Sequence, residues 1–173
     1  GEGIVQYDLT VTKLDSAGTS LAWATYLGGN GYEYLMDIDV DGSDQVVVIA
    51  GTESTDFPTT SGVLAPTTSS NARKTALAKL AADGSSLVWG TYGPVDFPMQ
   101  SGALQADGSV FLLSPNALYR IRSDATGTHW AKGVVPAAQQ NRGTTLQGVA
   151  AGLEGRQVRR HARIRLRQSQ GYQ

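Results

Sequence analysis

The chain lacks cysteine altogether, although it is 173 residues long. This absence excludes disulfide bonds and thiolate metal sites, but it identifies no cellular compartment. Long apolar runs are missing too. The longest, Val46–Ala50, has the length of a strand, whereas a membrane-spanning helix needs about 18–20 apolar residues. We therefore expect no membrane span.

Helix signals are almost absent, and glycine is plentiful. The 21 glycines make up about one residue in eight, against a usual share of ~7%. They lie among Val, Thr, Tyr and Trp, a mixture that is typical of short strands joined by tight turns. The segment ALAKLAA (76–82) could form a helical turn, yet the similar phrase LTVTKLD (9–15) favours a strand. The sequence predicts an all-β fold.

Acidic residues are absent from the end of the chain. Residues 1–155 contain all 15 of them, whereas residues 156–173 contain six arginines and no acid. Such a basic tail could contact nucleic acid or an anionic surface, or its alternation of arginine with apolar residues could make an edge strand. We favour a third interpretation, a disordered segment or a shifted reading frame, because GC-rich DNA read out of frame gives arginine-rich sequence. No nucleic-acid partner is expected.

Two phrases recur along the chain. The first is DFPTTSGVLAP (56–66), which returns as DFPMQSGALQA (96–106). The second occurs three times, as KLDSAGTSLAW (13–23), KLAADGSSLVW (79–89) and RIRSDATGTHW (120–130), each with a basic residue ten positions before a tryptophan. This spacing predicts that Trp23, Trp89 and Trp130 occupy equivalent positions of a repeated unit.

Each repeated unit is predicted to contain two β-hairpins. One hairpin is YLMDIDVDGSDQVVVIAG (34–51), and another joins KTALAKL (74–80) to SLVWGTY (86–92) through Asp83-Gly84. In a shortened unit, ALQADGSVFLLS (103–114) is followed by two more strand-like segments. Four antiparallel strands in each repeat are typical of the blade of a β-propeller.

The order of these phrases resembles the bacterial seven-bladed β-propeller repeat family, the SBBP repeat. The matching stretches are WATYLGG (23–29), IDVDGSDQVVVIAGTESTDFPTTSGVL (38–64) and ALAKLAADGSSLVWGTY (76–92). The resemblance covers residues 13–93 well and 94–152 weakly. It implies an exported or cell-surface bacterial protein, and it carries no common set of catalytic residues.

The blades can be counted on this basis. Residues 1–155 form the predicted propeller segment, followed by the basic tail 156–173. Full blades are expected at about 33–93 and 102–135, with half blades at 4–27 and 146–155 that could complete each other. Propellers typically have about four to eight blades. We therefore expect a fragment of a larger propeller, with pairing to a second copy or coverage by another domain as the alternatives.

The DFP phrase has a predicted structural role. Pro58 and Pro98 lack an N–H, so ladder pairing ends there, and each proline favours an extended conformation for the phenylalanine before it, Phe57 or Phe97. We expect the phrase to connect the second and third strands of a blade and its phenylalanine to fill the edge of the core.

One candidate metal site is Asp37, Asp39 and Asp41, which with Gly42 reads D-x-D-x-D-G, the start of a calcium loop. The later acidic ligand of such loops is missing, since Gln45 and Val48 stand where an acid is wanted. A strand with a solvated acidic face is the favoured interpretation. No cofactor is expected, and calcium is the alternative.

Catalytic residues are not predicted. Glu33, Glu53 and Asp56 are acids that could line a propeller mouth, but nothing in the sequence pairs them, and His129 and His161 have no nucleophile nearby. The recurring tryptophans could stack on sugars if exposed, although their fixed position favours packing between blades. We expect a non-enzymatic scaffold or binding surface for protein or glycan; the alternatives are a carbohydrate-active enzyme and a calcium-stiffened structural module.

Overall fold

The described residues of the chain form ten β-strands. A computed structural model describes residues 7–70, 72–96, 101–115 and 117–133. Every described residue belongs to a single compact unit, within Gly1–Pro136. The strands are β1 (Leu9–Leu14), β2 (Leu21–Leu27), β3 (Glu33–Val40), β4 (Val46–Thr52), β5 (Lys74–Leu80), β6 (Leu87–Asp96), β7 (Ser101–Leu104), β8 (Val110–Leu113), β9 (Ala117–Ile121) and β10 (Thr128–Gly133).

The strands form three antiparallel sheets. The first sheet pairs β1 with β2, the second has the order β3-β4-β5-β6, and the third has the order β7-β8-β9-β10. Within each sheet, hydrogen-bonded strands are thus neighbours in sequence. The predictions of an all-β fold and of four-stranded antiparallel sheets are confirmed. The described residues include no helix that is long and apolar enough to cross a membrane.

The central strands of the second sheet, β4 and β5, are buried on both faces, because they separate two apolar cores. Alternate side chains of β4 and β5 point to opposite faces. Those of Val46 and Val48 join a core with the first sheet that includes Val11 and Leu27. The residues between them, such as Val47, join a core with the third sheet that also holds Leu77, Val110, Leu112 and Ile121. The continuous apolar run VVVIA is explained by burial on both sides.

The first DFP phrase lies between β4 and β5, as predicted. Phe57 is buried at 2% exposure in the core between the first and second sheets. The following residues cover the open edge of β6: the Thr60 amide donates to the Gly90 carbonyl (3.0 Å), and the Tyr92 amide donates to the Ala65 carbonyl (3.0 Å). This connection protects an outer strand from pairing with other chains.

The second DFP phrase is placed differently, and the prediction for it was wrong. Asp96 ends β6, and Ser101–Leu104 forms β7, so the phrase links two sheets rather than the second and third strands of one. Gly62 turns the first copy at a φ of 76°, whereas Gly102 is buried in β7 against Ile49. The same four-residue pattern SGxL is a loop in one copy and a strand in the other, because its neighbours differ. Phe97 and Pro98 lie outside the described residues.

The sheets occupy nearly the ranges expected for blades, at 33–96 and 101–133, with two further strands at 9–27. The predicted half blade 146–155, the tail 156–173 with His161, and residues 4–6 of the first half blade lie outside the described residues.

Candidate functional site: the joints between the sheets

The basic residue and the tryptophan of the recurring phrase face each other in every sheet. Lys13 pairs with Trp23, Lys79 with Trp89, and Arg120 with Trp130 across adjacent antiparallel strands. The register shifts at the same place in each hairpin, directly beside the pair. The predicted equivalence of the three tryptophans is therefore confirmed.

We call a contact a joint where the tryptophan of one sheet donates a hydrogen bond to a turn carbonyl of the next sheet. The first joint connects the first and second sheets. Trp23 Nε1 donates a hydrogen bond to the Ala82 carbonyl in the β5–β6 turn (3.1 Å). Lys13 Nζ donates to the same oxygen (3.3 Å). The indole lies on Gly84, where an added Cβ would be 2.5 Å from Trp23 Cδ2. Glycine is required here for space, and its φ of 69° also suits glycine.

The second joint repeats this arrangement between the second and third sheets. Trp89 Nε1 donates to the Ser123 carbonyl in the β9–β10 turn (3.0 Å). Ser123 and Ala82 both stand three positions after the basic residue of their phrase. Ala125 takes the place of Gly84, keeps a φ of 57°, and is fully buried in the same core as Trp89. Each tryptophan therefore belongs to one sheet and is bonded to the next.

The third tryptophan has no further sheet to meet among the described residues. The Trp130 ring lies 5.7 Å from that of Phe111, and Lys132 Nζ lies 5.5 Å from the indole centroid. At the other end of the chain, the β1–β2 turn carries Gly18 at a φ of 69°, and an added Cβ there would meet nothing within 4 Å.

The basic residue of each complete sheet pairs with an acid of the first hairpin. Lys79 Nζ lies 2.6 Å from Asp41 Oδ2, and Arg120 contacts Asp107. Sequence reasoning found the spacing of these basic residues but missed their partners, because the acid lies one hairpin away. In the sequence, each of these acids is marked by the Asp-Gly dipeptide in which it stands, ahead of the basic residue that it contacts.

The candidate calcium ligands Asp37, Asp39 and Asp41 do not converge in the structure. The Oδ1 atoms of Asp37 and Asp39 each accept the amide of the next residue, at 2.9 and 2.8 Å. Asp41 accepts the Ser43 and Gln45 amides at 2.8 and 3.0 Å, besides its pair with Lys79. The described residues contain no group of three His, Cys, Asp or Glu that could hold a metal. Calcium binding stays an untested alternative.

The pKa of Asp41 reflects these contacts. Burial by itself raises the pKa, but the hydrogen bond from Lys79 and the two turn amides outweigh it, so the pKa lies below its usual value. Asp83 and Asp124 stand at equivalent turn positions, and hydrogen bonds from Ser85 and Thr126 respectively lower their pKa as well. The Asp83 and Asp124 carboxylates hold the two turns whose carbonyls accept the tryptophan hydrogen bonds.

The three acids considered for catalysis are all engaged in structural contacts. Glu33 is buried, and its Oε1 accepts from Thr52 Oγ1 (2.7 Å) and Ser54 Oγ (2.5 Å). Glu53 pairs with the Arg73 guanidinium (2.8 Å). Asp56 Oδ1 accepts the Asn30 amide (2.7 Å). The Asp56 contact ties the loop 28–31 to the start of the β4–β5 connection.

Tyr92 completes this support for the DFP phrase. Its hydroxyl accepts from the Phe57 amide and donates to the Ser54 carbonyl, both at 3.0 Å. Burial, partly offset by the Phe57 amide, raises the pKa of Tyr92, and the nearby Asp56 and Glu33 raise it further. The tyrosine three positions after the tryptophan thus has a definite role that the sequence did not reveal.

An open groove of about 470 Å³ lies beside the second joint. It is bounded by the β4–β5 connection on one side and by the β9–β10 turn on the other. Its wall combines apolar groups with hydroxyls, one ammonium and one carboxylate: Thr60, Ser61, Val63, Lys79, Val88, Trp89, Ser123, Asp124 and Thr126. Such a lining can donate and accept hydrogen bonds over a short length of ligand.

Comparison with known proteins identifies no relative. No protein-family model matches the chain, and no curated protein is significantly similar to it. The likeness to the SBBP repeat is therefore carried only by the phrases quoted from the sequence.

Proposed function

We propose that the chain is a non-enzymatic β-propeller repeat module of an exported bacterial protein, which serves as a scaffold and as a binding surface for protein or glycan. The observation that carries this proposal is the repeated joint, in which Trp23 and Trp89 each bond to the turn of the following sheet. A joint that recurs at the same repeat position is the property that lets sheets be added in series.

The contacts of the inner strands support a propeller arrangement. The first strands of the two complete sheets, β3 and β7, contact each other, and β1 contacts β3. On β3, Ile38 and Val40 are 46% and 53% exposed, although the residues opposite them, Val48 and Val46, are buried. Opposite residues share a face, and this face meets the first sheet. We attribute the exposure to the two inner strands that the first sheet does not have among the described residues.

The groove beside the second joint supports a binding role. Its lining combines hydroxyl groups with the Trp89 indole. One of its walls is the β4–β5 connection, and loops on a rigid scaffold often carry binding residues. The acids Glu33, Glu53 and Asp56 are held in structural contacts, so they support a scaffold better than a hydrolase.

A binding experiment tests the proposal. We would screen the full chain against neutral and acidic oligosaccharides and against a peptide library, and then measure any binding by calorimetry. Val88 borders the groove and is 43% exposed, so Val88→Arg should fill the groove and weaken binding at least tenfold. Ala22→Arg is the matched control, because Ala22 stands at the same repeat position in the first sheet and is exposed.

Two outcomes would contradict the proposal. Release of shorter products from an oligosaccharide by the wild-type chain would show an enzyme. Failure of every ligand class to bind would leave the scaffold role alone and remove the binding role.

A further inference from the structure

The two ends of the series of sheets are complementary. The last strand of the third sheet carries Trp130, which stands where Trp23 and Trp89 stand in their own phrases. The β1–β2 turn of the first sheet has the same shape as the two turns that Trp23 and Trp89 contact. One end thus presents the indole of a joint, and the other presents the turn that such an indole binds.

The open turn is preformed. In the β1–β2 turn, the Asp15 amide donates to the Ser20 carbonyl (2.9 Å) and the Gly18 amide to the Asp15 carbonyl (3.0 Å). The same two bonds close both occupied turns, each at 2.9 Å. Gly18 and Gly84 share a φ of 69°. The two turns differ in what covers the glycine, since Trp23 lies over Gly84 and nothing lies within 4 Å of a Cβ built at Gly18.

The repeat also indicates which carbonyl of the open turn is placed to accept a hydrogen bond from an indole. Ala82 and Ser123 offer their carbonyls three positions after the basic residue, and the same position in the first phrase is Ser16. Among the described residues, Trp130 Nε1 has no hydrogen-bond acceptor of the kind that Trp23 and Trp89 have.

We propose that Trp130 of one copy binds the β1–β2 turn of a second copy, with its Nε1 donating to the Ser16 carbonyl and its indole lying over Gly18. The joint between copies continues the two joints within the chain and uses the same atoms. It is a head-to-tail contact, because different surfaces of the two copies meet. The proposal rests on the repeated joint and not on ligand binding, so it stands or falls separately from the groove.

The mass of the full chain in solution gives the first test. We expect sedimentation equilibrium to show an assembly of at least two chains of 18.2 kDa, with the fraction assembled rising as the chain concentration rises. A mass of one chain up to about 100 µM would overturn the proposal, whether the turn is then covered by the remainder of the same chain or by another protein.

Two variants remove one half of the joint each. Trp130→Ala deletes the indole, and Gly18→Asn adds a side chain where the indole should lie while keeping a residue that tolerates positive φ. Each alone should weaken association about 30-fold or more, as expected when an interface tryptophan is lost or blocked. Tyr26→Ala is the matched control, because Tyr26 is 78% exposed on β2 and takes part in neither joint. It should leave association unchanged.

Mixing the two variants distinguishes a head-to-tail joint from any other dimer. The Gly18→Asn copy still has Trp130, and the Trp130→Ala copy still has an open turn, so the mixture should form one-to-one pairs that neither variant forms alone. Pairs that are absent from the mixture, or wild-type association that neither substitution weakens, would overturn the proposal.

A milder variant keeps the test valid if Trp130→Ala unfolds the third sheet. Trp130→Phe keeps a ring beside Phe111 but removes the donor, and it should weaken association about 2- to 10-fold. Circular dichroism of each variant confirms that the sheets are intact. A folded Trp130→Phe variant that associates as tightly as the wild type would contradict the assigned hydrogen bond.

Discussion

The two joints have the same hydrogen bond but differ in burial. Trp89 is 5% exposed and lies in a core between two four-stranded sheets, whereas Trp23 is half-buried at the edge of its core. The turn residue changes with it, from Gly84 in the first joint to Ala125 in the second. The two joints share the backbone geometry of their turns. They differ in how deeply the tryptophan is packed, because the sheets around them differ in their number of strands.

The β4–β5 connection explains much of the difference. Its Leu64 amide donates to the Ala125 carbonyl (2.7 Å), and Val63 and Leu64 pack on the core that holds Trp89. The first joint has no such cover among the described residues, because the first sheet there consists of two strands only. We therefore expect the second joint to contribute more to stability than the first.

The largest expected effect comes from removing the indoles. Trp89→Ala should lower the free energy of unfolding by about 3–5 kcal/mol, the usual range for a buried tryptophan, and Trp23→Ala by about half as much because Trp23 is only half-buried. Urea denaturation followed by circular dichroism measures both. Equal losses for the two variants would show that burial does not distinguish the joints.

The turn residue is the next test. Gly84→Ala should destabilise the chain by about 2–5 kcal/mol, because alanine is strained at positive φ and its Cβ, 2.5 Å from Trp23 Cδ2, would also overpack the joint. Gly18→Ala is the matched control, since Gly18 has the same φ and open space around it. In dilute solution it should show only the strain, about 1–2 kcal/mol. Identical melting curves for the two variants would exclude the steric part of the explanation.

The acid beside the second joint should make its stability depend on pH. Asp41→Asn leaves Lys79 without its partner and should cost about 1–3 kcal/mol at neutral pH. The pKa of Asp41 is lowered on folding, so its contribution is present above the unfolded pKa and is lost as pH falls through the folded pKa. The difference from wild type should therefore shrink below about pH 4.

Lys13 supplies the control for this pH effect. It bonds to the Ala82 carbonyl in the first joint, which does not titrate, so Lys13→Met should give a loss of stability that stays constant between pH 3 and pH 7 (about the range over which carboxylates titrate). A loss for Asp41→Asn that is equally constant would argue against the assigned ion pair.

The smallest effect isolates the shared hydrogen bond. Trp89→Phe keeps an aromatic ring but removes the donor to the Ser123 carbonyl, so it should cost about 1 kcal/mol for the bond in addition to a small loss of packing. Trp23→Phe should lose the same bond. Double-mutant comparison with Gly84→Ala should show coupling for Trp23 and none for Trp89, because the atoms nearest to a Cβ at Gly84 belong to Trp23.

Some of the fold could be read from the sequence because the signals are local. The strands of the recurring phrase and its turn follow from alternation and from a fixed spacing across a tight turn. The burial of Phe57 was predicted because the proline after it ends the ladder and fixes an extended approach.

Other features could not be read because their partners are distant in the chain. Asp41 was considered as a calcium ligand, yet its carboxylate contacts Lys79, which is remote in sequence. Tyr92 follows Trp89 by three positions, but nothing in that spacing indicates that its hydroxyl bonds both the Phe57 amide and the Ser54 carbonyl. No local pattern encodes which strand lies beside which loop.

By itself, then, the sequence determined the elements: antiparallel hairpins, their turns and the equivalent places of Trp23, Trp89 and Trp130. Only the tertiary structure decided what each equivalent place contacts. Trp89 is buried, Trp23 is half-buried and Trp130 has no sheet to meet in the described part of the chain. The reason is physical: hydrogen-bonded hairpins depend on neighbours in sequence, whereas burial depends on which sheet packs against them.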